Sequence, residues 1–145
     1  MIDLHAHSTA SDGSYSPSDL VAMAVERGLS VLALTDHDTI AGIPEARAAA
    51  RAAGLRFVAG IELDIEWKPG ECHLLGYGLD SPNAGLEELL IRVNMLRRER
   101  NLEIVERMRA AGIAVDFSRV EAIAGGGTVG RPHFARHLVE IGAVK

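Results

Sequence analysis

The segment SVLALT at 30–35 is apolar throughout from Val31 to Leu34, and Asp36, His37 and Asp38 follow it at once. A short run without polar alternation is what a strand shows when helices cover both faces of a parallel sheet. Titratable residues directly after such a strand predict a ligand-facing loop, because parallel α/β folds bind ligands at the carboxyl ends of their strands. A solvated loop is the competing reading of Thr35-Asp36-His37-Asp38.

The surrounding sequence follows the same layout. Met1 to Ala6 is short and loosely alternating, as a first strand would be. Ser16-Pro17-Ser18 opens a helix, with serine as N-cap, proline at the first helical position and Asp19 in the first turn. Its stripe is Leu20, Val21, Ala24 and Val25, and Gly28 ends it. Thr39 to Ala53 reads as an alanine-rich second helix ending at Gly54, and RFVAGIELDIEW at 56–67 as a third strand with GIEL near one end. Strand and helix alternating at short intervals give the βαβ rhythm of a parallel sheet.

After Trp67 the pattern changes. Lys68-Pro69-Gly70-Glu71 reads as a turn and CHLLGYGLD as another strand. Asn83 to Ala111 is helical, but RRERN at 97–101 breaks the apolar stripe, so either one long helix crosses a wet region or two helices meet. Arg97, Arg98 and Arg100 are assigned to a solvated face, with one of them able to reach a substrate. Asp116 to Ala124 reads as a short helix before Gly125-Gly126-Gly127, and Arg131 to Ile141 as a last helix. Three βα units do not close a barrel, which takes about eight in its standard form, so the sheet is open or belongs to a larger fold.

Composition narrows the function. With 145 residues, 48% hydrophobic and 24% charged, the chain can bury a globular core, and 4% aromatics make that core aliphatic. The net charge of -5 argues against stable binding of duplex nucleic acid, which needs a basic footprint. A small phosphorylated substrate remains compatible, because bound cations add charge that composition does not count. Cys72 is the single cysteine, which excludes an internal disulfide and a cysteine-rich zinc site. The start of the sequence lacks a secretory pattern and the longest apolar run is far short of a membrane span, so a cytoplasmic protein without a membrane partner is expected.

His5 and His7, two apart on an extended segment, should point the same way, a ligand geometry for one metal. Asp12, in a Ser-Asp-Gly turn, is close enough to fold back beside the first strand's end. Glu62 occupies on the third strand the place His37 has on the second, with Asp64 on its face, and a carboxylate can bridge two ions. His73 alone reads as a half-buried structural histidine. Asp36 and Asp38 could orient His37 through its second nitrogen. Taken jointly, these nitrogen and oxygen donors without thiolates suit divalent manganese, iron or zinc in a hydrolytic site.

HAHSTASDG, then TDHD, GIE and HLLGYG, in that order, resembles the PHP (polymerase and histidinol phosphatase) family. Within it the resemblance is strongest to stand-alone bacterial nucleoside 3′,5′-bisphosphate phosphatases and 5′-3′ oligoribonucleases, a subgroup that RPHFARHLVE also resembles. It implies the parallel-strand first part of a distorted (β/α)7 TIM-like barrel, with an inserted helical lid subdomain. The division expected is 1–82 for the barrel half and 83–145 for the helical, lid-like segment. Two or three divalent ions are implied, manganese ahead of iron or zinc. His5 and His7 would bind the first, Glu62 would bridge it to a second held by His73, and Asp12 and His37 would bind a third. Glu62, His37 and Asp36 are the catalytic candidates, and Arg131 and His133 the substrate-binding ones.

The activity implied is metal-dependent phosphoesterase action on nucleotides or short oligonucleotides by metal-activated water. The alternatives are a histidinol-phosphate-type phosphatase and a truncated, non-catalytic metal-binding module. Amide or lactone hydrolysis on a similar scaffold would call for a bridging lysine where Glu62 stands. The family's later His-Pro and Asp-x-His ligands have no counterpart here, so the match is expected to cover the first half of a full domain.

Overall fold

The computed structural model describes residues 1–68, 70–79 and 83–144. Pro69 of the expected turn and the expected boundary at residue 82 lie outside them. The sheet has four strands, β1 (Ile2–Asp3), β2 (Val31–Leu34), β3 (Arg56–Trp67) and β4 (Gly70–Tyr77), in the order β1-β2-β3-β4. The helices are α1 (Pro17–Glu26), α2 (Ile43–Ala53), α3 (Ala84–Ala110), α4 (Phe117–Ala124) and α5 (Arg131–Glu140).

Local chemistry accounts for the helix ends. The Ser16 hydroxyl accepts the Asp19 amide at the start of α1, with Pro17 in the first turn where its missing N–H costs nothing. The second helix begins at Ile43 rather than Thr39, because Asp38 takes a left-handed φ of 50° and Pro44 belongs to a first turn. Gly54 then ends it at φ 68°.

β1, β2 and β3 are parallel, as the alternation predicts, but β4 runs antiparallel to β3. A parallel return needs a crossover of a dozen or more residues, and only Lys68 and Pro69 separate the two strands. The first strand is also shorter than expected, so His5 and His7 lie beyond its ladder. On the alternatives left open at 97–101, a single 27-residue helix forms, with Arg97 and Asn101 buried rather than solvated.

Two apolar clusters result. Val21, Ala24, Leu32, Leu34, Ala46 and Ala50 join α1 and α2 to the sheet. Val105, Val115, Phe117, Val120 and Phe134 join α3, α4 and α5. Among the described residues no helix is long and apolar enough to cross a membrane.

Leu34 is 1% exposed and Leu89 is 44% exposed. Leu34→Ala should therefore lower unfolding free energy by about 2–5 kcal/mol in urea titrations, and Leu89→Ala by under about 0.5 kcal/mol. Similar losses at the two positions would contradict this placement of the core.

Candidate metal centre

The site is built where the parallel ladder runs out. Past Leu34, Glu62 donates its amide to Asp36 O at 3.1 Å and accepts the Asp38 amide at 2.9 Å, a single bridge that sets His37 beside Glu62. The first loop is pulled onto the same spot. Ser8 O accepts the amides of Ser11 and Gly13, and a Cβ on Gly13 would sit 2.3 Å from His7 O. Only glycine fits that approach, and the turn carries Asp12 back to His7.

Asp36 ties the loop down. It is 2% exposed. Its carboxylate accepts the Ser8 amide and hydroxyl, each at 2.7 Å, and the Ser11 hydroxyl at 2.6 Å. The expectation that Asp36 or Asp38 orients His37 is therefore corrected. The carboxylate against His37 Nδ1 is that of Asp64, 3.2 Å away, while Asp38 bonds to Arg97 and to the Asp64 amide. Strand alternation is the reason, since Asp64 shares the face of Glu62 and pairs directly with His73 across the hairpin.

At the centre Glu62 is 1% exposed and ringed by imidazoles. Its Oε2 lies 3.0 Å from His5 Nε2, 3.1 Å from His7 Nε2 and 3.5 Å from His37 Nε2, and its Oε1 lies 2.7 Å from His73 Nδ1. Asp12 closes one side, 3.6 Å from His7 Nδ1 and 3.9 Å from His37 Nε2. All six residues expected as ligands therefore converge.

The electrostatics are mixed. Burial would raise the Glu62 carboxyl, but the His5 bond, the His37 charge and the His73 bond outweigh it and hold it low. Burial likewise opposes charging of His37, yet Asp64, Glu62 and Asp12 push it up. Burial and the neighbouring His37 push His7 down. Asp64 is held well below the usual carboxylate range by His37, against burial and with help from Arg97.

These donors fit divalent cations. His5, His7 and Glu62 form one group with ligand atoms within 4.8 Å of one another; His7, Asp12 and His37 form a second; His37, Glu62 and His73 form a third. Bonds of ~2.1 Å to a shared ion place neighbouring ligand atoms ~3.0–3.4 Å apart, close to the separations around Glu62. His7 Nδ1, His37 Nδ1 and Asp64 Oδ1 are buried without an aligned hydrogen-bond partner. Buried polar atoms are seldom left so: His37 Nδ1 and Asp64 Oδ1 face each other at 3.2 Å, and an ion held together with Asp12 would account for His7 Nδ1, 3.6 Å from that carboxylate.

The two expected substrate residues part company. Arg131 lines a cavity of about 410 Å³ beside the centre, together with Asp64, His73, Arg97, Arg100 and Leu96. His133 is 2% exposed, and its Nδ1 accepts the Gly130 amide at 2.9 Å, which makes it a cap on the start of α5. Arg97 is the residue the sequence misplaces. It is 8% exposed and pairs with Asp38 and Asp64, and the break in the apolar stripe at 97–101 was its only signal.

Comparison with known proteins agrees with this geometry. A 5′-3′ exoribonuclease of Haemophilus influenzae is 44% identical over 142 residues, covering 98% of this chain and 52% of that protein. A 3′,5′-nucleoside bisphosphate phosphatase of Chromobacterium violaceum is 39% identical, covering 99% and 51%. A solved structure of a Chromobacterium violaceum amidohydrolase, with bound sulfate and no metal, superposes with a TM-score of 0.90 at 39% identity, over 99% of this chain and 51% of that one. The chain thus spans about half the length of the curated relatives it matches. The PHP domain pattern matches residues 3–115, and with the centre built from those same residues, the chain belongs to the PHP domain family.

Proposed function

We propose that the chain carries the metal-binding half of a phosphoesterase that hydrolyses nucleotides such as nucleoside 3′,5′-bisphosphates or short oligonucleotides. The observation that carries this reading is the buried Glu62 carboxylate inside four imidazoles. His5, His7 and Glu62 would hold one divalent ion, Glu62 and His73 a second, and Asp12 and His37 a third. Manganese is preferred over iron or zinc. Bound ions supply acidification of water to near neutrality and positive charge against a phosphoryl group.

The chain's own groups do the rest. Glu62, with one oxygen toward His5 and His7 and the other toward His73, would share its carboxylate between neighbouring ions. Arg131, which lines the cavity, would take a substrate phosphate through its planar guanidinium. The names of the relatives, a bisphosphate phosphatase and an exoribonuclease, support a phosphate-directed site. We also assign 1–82 as the first part of a distorted (β/α)7 barrel and 83–145 as a lid-like helical segment.

A second reading has its own support. The His5 and His73 side chains are 47% and 41% exposed, which leaves the ligand set open on one side. A module that binds ions but needs ligands from another segment or chain would look like this.

The test loads the purified chain with Mn²⁺, counts bound ions, and assays phosphomonoesters and 3′,5′-bisphosphates. Ion binding with turnover supports the phosphoesterase; ion binding without turnover supports the module; no ion binding contradicts both. In an active preparation Glu62→Ala should lower kcat/KM by at least about 100-fold, about 2.7 kcal/mol, and turnover at the wild-type rate would remove Glu62 from its bridging role. Arg131→Ala should raise KM for phosphorylated substrates about 10-fold with kcat within about twofold, and an unchanged KM would return Arg131 to the surface.

A further inference from the structure

Helix α3 reaches the centre with a set of polar side chains that the proposed chemistry does not use. Arg97 Nε donates to Asp38 Oδ2 at 2.8 Å, and its Nη2 donates to Asp64 Oδ2 at 2.7 Å. Arg100 reaches the same Asp64 oxygen at 3.3 Å. One turn earlier, Asn94 donates to the carbonyl of Asp38 at 2.9 Å. All three side chains thus land on the two acidic residues that flank His37, one next to it in the chain and one against its ring.

Asp38 is an unusual anchor. It is fully buried and is the one non-glycine residue with positive φ among the described residues. A left-handed aspartate costs backbone energy and persists where its surroundings over-determine it. Here four groups do so: the Glu62 carbonyl accepts its amide, Asn94 donates to its carbonyl, and Arg97 and the Asp64 amide donate to its carboxylate. This turn sets the direction in which His37 leaves the backbone. Asp64 then backs the ring: its Oδ1 lies 3.2 Å from His37 Nδ1, short of an aligned hydrogen bond, while Arg97 holds its other oxygen. A carboxylate behind the second nitrogen of a ligating histidine sets its tautomer and rotation, and losing such a partner typically costs ~10–100-fold in metal affinity.

We infer that Arg97 is a positioning residue, which acts through Asp64 and Asp38 to aim His37 Nε2 at the ion-binding side of the centre. Ion binding at His37 is thereby tied to the docking of α3. This inference rests on the metal-centre reading above. The rival account is a salt bridge that only fastens the helix, and it differs in one respect: fastening contributes to stability without passing through Asp64 to the ion.

The experiment measures Mn²⁺ affinity by calorimetry, with the visible spectrum of the Co²⁺ form as the signature of ligand geometry. The proteins are wild type, Asp64→Asn, Arg97→Gln, the double variant, and Arg98→Ala as a control on α3, where Arg98 faces α4 and pairs with Glu121. Asp64→Asn and Arg97→Gln should each weaken the His37-dependent ion by ~10–100-fold and change the Co²⁺ spectrum alike. The double variant should be no weaker than the worse single variant by more than about twofold, since both changes break one chain of contacts. Arg98→Ala should match wild type.

A folded Arg97→Gln protein with wild-type affinity, or losses that multiply in the double variant, would overturn the inference and leave the metal centre standing. If Arg97→Gln does not fold, Arg97→Lys decides: it keeps the charge but cannot span two carboxylates, so an intermediate loss supports the inference and wild-type affinity overturns it. Wild-type protein that binds no Mn²⁺ would contradict the metal centre itself, and the inference with it.

Discussion

A carboxylate that is 1% exposed must be compensated, and the site as a whole is the compensation for Glu62. Four histidines from three separate parts of the chain turn their nitrogens toward it, and Asp12 and Asp64 bring further negative charge to its edges. Imidazoles answer that charge with an N–H when neutral and with a proton when charged; burial and His37 push His7 toward the neutral form, whereas the carboxylates around His37 push it toward the charged form. Divalent ions would supply the positive charge without relying on either. The loops around the centre are shaped to make that arrangement: a glycine packed against His7, a buried Asp36 that ties two serines, and a left-handed Asp38.

The scaffold explains why these residues can meet. β2 and β3 are parallel and in register, so their exits bring His37 and Glu62 side by side. The hairpin then folds His73 back over the same face, with Asp64 opposite it. A parallel β4 would have carried His73 away from that register. The helical segment has its own apolar cluster, and it reaches the centre with polar groups from Asn94, Arg97 and Arg100.

Much of this was legible in the sequence because two periodicities and a few terminators do the local work. The Ser16-Pro17 start, the Gly54 stop and the Val31–Leu34 run are each decided by neighbours within a few residues. The six candidate ligands were legible for another reason, as donors repeated at strand exits. What escaped depends on contacts distant in sequence. The ring of His37 is met by Asp64 rather than the adjacent Asp36 or Asp38, which only the strand register reveals. Arg97 reads as solvated on a charged stretch until the sheet places two carboxylates beneath it. The sequence does not show that the ring of His133, expected as a substrate residue, also closes the start of its own helix through Nδ1.

Divalent ions around Glu62 would hold these imidazoles together, and crystals of the chain grown with Mn²⁺ and measured for anomalous scattering show whether they do. Anomalous peaks are expected within ligand distance of Glu62 and of His5, His7, His37 or His73. Crystals with full Mn²⁺ exposure and no peak at Glu62, or peaks only on surface carboxylates elsewhere, would contradict that placement of the ions.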